Sequence, residues 1–510
     1  MLSKAYSFGL VGLNGYLVDI ETDISRGLPS VAVVGLPDNA VKESRERTRA
    51  AIKNSGFKYP IDKITISLAP ADVKKEGSFF DLPIALSILA ATNQLNKDTL
   101  KDYIIIGELS LDGKIRAVKG ALPIALSIKE KRFSKIIVPY ENAHEAAVAE
   151  GIDVYPVKTL AETVHFLSEP ETLSPCKVNT RALLKELNQY DEDFSDVKGQ
   201  VHAKRGVEIA VAGGHNIILI GPPGSGKTML AKRIPTIFPD MELKEALETT
   251  KIHSIVGNAP KKSGIVVQRP FRNPHHTCSD IALVGGGSFP KPGEISLAHN
   301  GVLFLDELPE FNRDVLESLR QPLEDGIVTI SRATKALSFP SKFMLAATMN
   351  PCPCGFFTDP QRNCRCTPTK IQKYLSKISG PLLDRIDIQI EVPSLKYKEI
   401  AKGAEAESSD TIKQRVQKAR DVQRKRFKDE NVFCNAQMNH KHIKKYCQLD
   451  DSSQELLKMA MEELGLTARA YDKILKVSRT VADLTGAKDI SPDHLSEAIQ
   501  YRSLDRNLWA

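Results

Sequence analysis

Ile217-Ile218-Leu219-Ile220-Gly221-Pro222-Pro223-Gly224-Ser225-Gly226-Lys227-Thr228-Met229-Leu230-Ala231-Lys232 decides the fold of the chain that contains it. Its four leading apolar residues read as a strand buried on both faces. The next eight fit G-x-x-x-x-G-K-[ST], and a helical pattern follows at once. Strand, glycine-rich loop and helix in this order build a phosphate cradle. The glycines let backbone N–H groups converge on phosphate oxygens, and the start of the helix adds its positive end. Gly221, Pro222, Pro223, Gly224, Ser225, Gly226, Lys227 and Thr228 are therefore the expected ATP-binding residues. Lys227 should reach the β- and γ-phosphates, and Thr228 should offer its hydroxyl to Mg²⁺. The alternative is a glycine-rich turn that binds nothing, and it leaves the lysine, the threonine and both flanking elements without a reason.

Two further apolar runs end in polar residues. Gly301-Val302-Leu303-Phe304-Leu305 leads into Asp306-Glu307. Asp306 is expected to position Mg²⁺, and Glu307 to polarise the attacking water. Phe343-Met344-Leu345-Ala346-Ala347-Thr348 leads to Asn350, whose amide would orient that water. The plainer alternative for Asn350 is a turn former ahead of Pro351.

Around this centre the 510-residue chain divides by composition. Residues 1–165 read as an α/β domain of mixed order. Its strands are expected at 31–35, 64–68, 103–107, 135–139 and 152–156, with a buried helix at Asp81–Ala91 and a turn at 111–114. Residues 166–193 read as a linker with one helix from Thr180 to Tyr190. Residues 194–394 form the expected α/β core, and 395–510 a helical domain. Hydrophobic and charged fractions of 42% and 26% are those of a soluble globular protein. No apolar run nears the roughly 18 residues that a membrane span needs, and Met1–Tyr6 opens no signal peptide, so a cytoplasmic protein is expected. A net charge of +7 permits nucleic-acid binding without arguing for it.

At this point the chain resembles AAA+ ATPases of the magnesium-chelatase-like group. Asp196-Val197-Lys198-Gly199-Gln200 is similar to an adenine-pocket segment, Leu383-Asp384-Arg385-Ile386-Asp387 to an arginine-finger segment, and Leu466-Thr467-Ala468-Arg469-Ala470 to a second sensor. The resemblance implies that Arg385 acts on a neighbouring subunit's ATP and that the chain forms a homo-oligomeric, hexameric ring. Taken singly, each arginine reads as a surface salt-bridge partner.

A closer likeness runs through Arg272-Asn273-Pro274-His275-His276-Thr277-Cys278-Ser279, Leu283–Gly287, Pro292–His299 and on to Glu310. These segments resemble the ComM/YifB competence-related family across nearly the whole chain. The family implies a DNA helicase or translocase that promotes branch migration in homologous recombination and natural transformation. Its implied partners are single-stranded or branched DNA and a recombinase. In this group an insert between the phosphate-loop helix and Asp306 faces the ring pore. Lys251, His253, Lys261, Lys262, Arg269, Arg272, His275 and His276 are then candidates for phosphate contact, and Phe271 and Phe289 for base stacking. Arg332 and Lys335, near the tip of a hairpin expected over 326–335, are further candidates. The plain alternative for all these charges is a solvated loop face. The basic run 415–428 reads as an exposed helix face.

Residues 1–165 resemble a Lon-protease-like domain through Gly107–Lys114 and Val118–Leu122. The expected architecture is therefore a Lon-like α/β domain, a P-loop AAA+ core and a C-terminal helical lid. A Lon-type site needs a serine and a lysine of lowered pKa. Ser78 is present, but Pro123 stands where the resemblance places the lysine, so no peptidase activity is expected. The competing functions are an ATP-dependent protease or chaperone-like remodeller, and a chelatase motor subunit.

Cys352, Cys354, Cys364 and Cys366 form two C-x-C pairs. Four thiolates in one loop suit tetrahedral Zn²⁺, although the usual ribbon spacing is C-x₂₋₄-C. The alternative is a set of free thiols. A zinc ion there would brace the segment between Asn350 and Arg385.

Overall fold

The computed structural model describes residues 1–504 apart from 130, 132, 187–189, 288–289, 333–334, 358, 360–361, 395–405, 429 and 431. They form two compact units. One comprises Met1–Leu187 with Glu242–Val267, the other Asn188–Met241 with Gln268–Ala510.

The first unit is built on a seven-stranded mixed sheet in the order Ser30–Val34, Lys63–Ala69, Asn14–Ser25, Leu2–Val11, Tyr103–Ile105, Lys135–Pro139, Asp153–Val157. Its long central hairpin, Leu2–Val11 with Asn14–Ser25, was not among the expected strands. Val11 pairs with Asn14, so only Gly12 and Leu13 turn the chain, and Gly12 takes a φ of +60°. Two-residue hairpin loops favour this left-handed geometry because it matches the twist of the strands. Along the second strand Val18, Ile20, Thr22 and Ile24 face inward at period two. The helix Asp81–Ala91 occupies its expected bounds and all of its residues are buried. Its first carboxylate, Asp81, is gripped by Arg47 at 2.7 and 3.0 Å. Burial nevertheless raises the Asp81 pKa to about 6, against the pull of Arg47.

The stretch 242–267 corrects one expectation. Its part from Lys251 onward was expected in the pore-facing insert of the ATPase core, but Leu243–Val256 is a helix that belongs to the first unit. A capping box between Glu242 and Glu245 starts it, and Gly257, at φ +85°, ends it. Ser254 accepts from Gly120 N at 3.1 Å and donates to Glu145, and His253 is buried. Lys261 pairs with Glu141 at 3.1 Å.

The second unit holds a five-stranded parallel sheet in the order Phe271–Arg272, Val302–Leu305, Met344–Met349, Ile217–Ile220, Ile388–Glu391. The strands 217–220, 302–305 and 344–349 are buried throughout, which is why they read as continuous apolar runs. The helices Ser409–Arg426, His440–Tyr446, Asp451–Leu464, Ala468–Thr485 and Pro492–Gln500 make the C-terminal region helical as expected. Ile412, Val416, Ile474, Val481 and Leu495 share one core with Ile217, Leu219 and Ile388 of the sheet. The basic run in the first of these helices is largely engaged, with Arg415 on Glu208 and Glu407 and Arg426 on Asp483. Among the described residues, no helix is long and apolar enough to cross a membrane.

Candidate active site

Parallel strands end on the same side of their sheet, and here the polar strand ends are neighbours. Ile217–Ile220 lies beside Met344–Met349, which lies beside Val302–Leu305. The phosphate loop, Asn350 and Asp306-Glu307 therefore emerge next to one another.

The loop is shaped by its glycines. Gly224 and Gly226 have φ of +80° and +92°, and a Cβ on either would meet nothing within 4 Å. Gly221 differs, since a Cβ there would lie 2.1 Å from the carbonyl oxygen of Val392. The first two glycines keep the face of the loop open, and the third lets it pack on the sheet. Ser225 Oγ is buried and, among the described residues, has no hydrogen-bond partner. An open turn with an unsatisfied buried hydroxyl fits a ligand rich in acceptor oxygens. Behind the loop, Gln200 Nε2 donates to the carbonyls of Pro393 at 2.8 Å and Ser225 at 3.3 Å. Gln200 thus ties the expected adenine-pocket segment to the cradle.

Lys227 Nζ donates to the carbonyls of Gly221 and Pro222 at 2.7 and 2.8 Å and to Asn350 Oδ1 at 3.2 Å. Burial lowers its pKa to about 8, while Asp306 and Glu307 pull the other way. Thr228 Oγ1 donates to Asp306 Oδ2 at 3.1 Å. A hydroxyl and a carboxylate converging in this way fit the oxygen-ligand chemistry of Mg²⁺. Thr348, which the sequence did not single out, donates its hydroxyl to Asp306 and accepts from Glu307 N at 3.2 Å. A polar residue near the end of an otherwise apolar strand was the available signal. Glu307 sits at φ +55°, a left-handed conformation that costs a non-glycine residue about 1–2 kcal/mol. Its side chain stays exposed, 3.9 Å from His276 Nδ1.

Arg469, on the helix Ala468–Thr485, reaches the segment that carries Arg385 through its pair with Asp384. Arg385 donates to Pro381 O at 2.7 Å and to Glu324, and it lines an open cleft of about 500 Å³ together with Glu324, Arg320 and Glu317. Arg469 pairs with Asp384 at 3.2 Å and is otherwise exposed. Lys473 and Arg502, both unforeseen, hold the carbonyl of Ile386 at 3.1 and 2.6 Å.

The DNA-contact candidates separate. Arg272 forks Glu294 at 2.6 and 2.7 Å. Phe271 is not free to stack on a base, because it lies against Phe304 with ring centroids 5.5 Å apart. The rings of His275 and His276 are 4.1 Å apart. Strands Ile327–Arg332 and Lys335–Pro340 form the expected hairpin with Arg332 opposite Lys335, whose side chains lie outside the described residues, as does Phe289. In the first unit Ser78 Oγ donates to Glu108, and Pro123 lies buried in the helix Ala121–Ile128. Lys75 is buried with its amine on the carbonyl of Pro70, not on Ser78.

The sulfur atoms of Cys352, Cys354, Cys364 and Cys366 all lie within 4.8 Å of one another. Backbone N–H groups of Arg365 and Phe356 draw the Cys354 thiol down to about 6.

Three family models match the chain. They are magnesium chelatase subunit ChlI over residues 193–400, subunit ChlI of Mg-chelatase over 20–142, and the ChlI C-terminal region over 406–502. Competence protein ComM of Haemophilus influenzae is 45% identical over 509 residues, which cover 99% of this chain and 98% of that protein. The uncharacterized protein YifB of Escherichia coli is 45% identical over 515 residues, with the same coverage of 99% and 98%. Similarity to Lon is partial. The archaeal Lon protease of Methanocaldococcus jannaschii is 30% identical over 102 residues, 20% of this chain and 15% of that protein.

Proposed function

The chain belongs to the ComM/YifB family, and from that premise we propose that it is an ATP-driven motor on DNA that promotes branch migration in recombination and natural transformation. Its magnesium-chelatase-like AAA+ modules imply ATP hydrolysis with Mg²⁺. The observation that carries the proposal is the meeting of Lys227, Thr228, Asp306 and Asn350 at adjacent strand ends. The name of the H. influenzae relative, a competence protein, is what directs the motor towards DNA.

In this mechanism Lys227 leaves the carbonyls of Gly221 and Pro222 and turns to the γ-phosphate of ATP. Thr228 and Asp306 would hold Mg²⁺, which supplies charge neutralisation at the β- and γ-phosphates. Thr348 fixes the neighbouring Asp306 and Glu307. Glu307 projects outward from its left-handed turn and takes the proton of the attacking water, while Asn350 orients that water. Arg385 exchanges Glu324 for a neighbouring subunit's γ-phosphate, and Arg469 reports the same event to the helical lid. A trans-acting arginine requires a neighbouring subunit, and the assembly proposed here is a hexameric ring. His275, His276, Arg332 and Lys335 would face the DNA. Arg272 would do so only by leaving Glu294. A Zn²⁺ in the cysteine cluster would brace the segment between Asn350 and Arg385. The first unit would serve as a scaffold or DNA-binding tier, since Pro123 and the Ser78–Glu108 contact leave no serine–lysine dyad.

ATP turnover measured with and without single-stranded and forked DNA tests the proposal. Stimulation by DNA that disappears in Lys227→Ala is expected. Turnover that ignores DNA would leave a protein-remodelling or chelatase role as the better account.

A further inference from the structure

We propose that Cys352, Cys354, Cys364 and Cys366 form a tetrathiolate Zn²⁺ site that props the phosphate loop, so that metal occupancy sets the rate of ATP turnover. The coupling half of this proposal rests on Lys227 and Asn350 serving ATP hydrolysis. The metal half stands on the cysteines alone.

The sulfur geometry fits one ion. Cys352 Sγ lies 3.3 Å from Cys354 Sγ and 3.7 Å from Cys364 Sγ, and Cys354 and Cys364 are 3.6 Å apart. A tetrahedron with Zn–S bonds of about 2.3 Å places its sulfurs about 3.8 Å apart. An iron–sulfur cluster carries its thiolates outside a multi-atom core and would need them farther apart. All four cysteines are free thiols. Backbone N–H groups already point at the sulfurs, with Cys366 N on Cys364 Sγ at 3.4 Å. Donors of this kind stabilise metal thiolates from outside the ligand shell.

The site abuts the phosphate loop. Gly355 lies between the two cysteine pairs at φ +84°, and a Cβ on it would lie 2.4 Å from Pro223 Cδ. The turn after Cys354 therefore rests directly on the second proline of the loop. Cys352 follows Asn350 by two residues, and Asn350 Oδ1 is the atom that Lys227 reaches at 3.2 Å. On its far side the cysteine loop is tied down by Ser394, which donates to Asp359 at 3.1 Å. A metal that pins 352–366 fixes both the wall behind Pro223 and the position of Asn350. Metal loss loosens both, because the cysteines form no disulfide, which leaves the packing on Pro223 and the Ser394–Asp359 hydrogen bond to hold the described part of that loop.

The test uses the full chain, purified under reducing conditions and analysed by plasma mass spectrometry. One zinc per chain is expected. Stripping the wild type of zinc should lower ATP turnover at least tenfold, Zn²⁺ alone should restore it, and an unchanged circular-dichroism spectrum of the stripped protein should exclude unfolding. Gly355→Ala should keep its zinc yet turn over ATP severalfold more slowly. Cys364→Ser with Cys366→Ser should lose both. Wild type that hydrolyses ATP without bound zinc defeats the metal site. Stripped protein that hydrolyses ATP at full rate defeats the coupling. Wild type that holds zinc but hydrolyses no ATP defeats the enzymatic premise, and the coupling with it.

Discussion

Lys227 Nζ and Asn350 Oδ1 meet at 3.2 Å across 123 residues of chain, joining the start of the phosphate-loop helix to the end of the neighbouring strand. The amine also caps two carbonyls of its own loop, and nucleotide must draw it away from them. Lys227→Ala should abolish ATP turnover. Asn350→Ala should lower kcat by about 10²-fold or more while leaving the Kd for ATP within a few-fold, because its amide acts on water and not on the nucleotide. Equilibrium binding of a fluorescent ATP analogue beside steady-state turnover separates the two. A large loss of binding in the asparagine variant would contradict the assignment.

The Lys227 amine, held near pKa 8 by burial, gives a pH signature. Phosphate favours the charged amine, so binding ATP above pH 8 must take up a proton. Affinity should therefore weaken as pH rises from about 8, by up to about tenfold per unit. In the nucleotide-free protein the sign is the reverse for stability. The cost of burying the charged amine is fully felt below about pH 8 and is relieved towards the unfolded value of 10.5. Calorimetric titration at pH 9 in two buffers of different ionisation enthalpy measures the proton directly, and equal heats in both would refute the shift.

Glu307 combines a left-handed backbone with an exposed carboxylate, and Thr348 holds its amide at 3.2 Å. Glu307→Gln should still bind ATP and should hydrolyse it at least about 10²-fold more slowly. Thr348→Val should give a smaller loss of kcat, because it frees Asp306 and Glu307 without removing either. Single-turnover hydrolysis reads both, and a normal rate in Glu307→Gln would reassign the base.

Arg385 is paired with Glu324 and lines an open cleft, and the proposed mechanism has it act on a second subunit's ATP. Arg385→Ala should cost about 10³-fold in kcat. Mixed with an excess of Lys227→Ala chains, which keep their arginine, the variant should regain part of its turnover. Mixing that restores nothing would argue against action in trans.

How much of this was legible follows from how local each signal is. The phosphate loop was legible as a local pattern because the glycines, the lysine and the threonine all lie in one stretch of eight residues. The buried helix Asp81–Ala91 was legible for the same reason. The hairpin Leu2–Val11 with Asn14–Ser25 was missed although Val18, Ile20, Thr22 and Ile24 alternate, because glycines and charges interrupt the run. The errors about 242–272 are of another kind. Lys251 and His253 looked like loop cations, but two glutamates cap a helix there that packs with Gly120 and Glu145. Phe271 and Arg272 looked available until Phe304 and Glu294 proved to be their partners. No local pattern reveals a partner 22 or 33 residues away. Thr348, Lys473 and Arg502 escaped for that reason too, since their roles exist only once the strands and helices are assembled.

The most direct measurement is ATP-dependent branch migration on a synthetic three- or four-way DNA junction, with Lys227→Ala as the control. The account predicts that wild type displaces the strand with ATP, that Lys227→Ala does not, and that Arg332→Ala with Lys335→Ala slows displacement while sparing DNA-free ATP turnover. Wild type that hydrolyses ATP but leaves the junction intact at low salt would contradict the DNA motor.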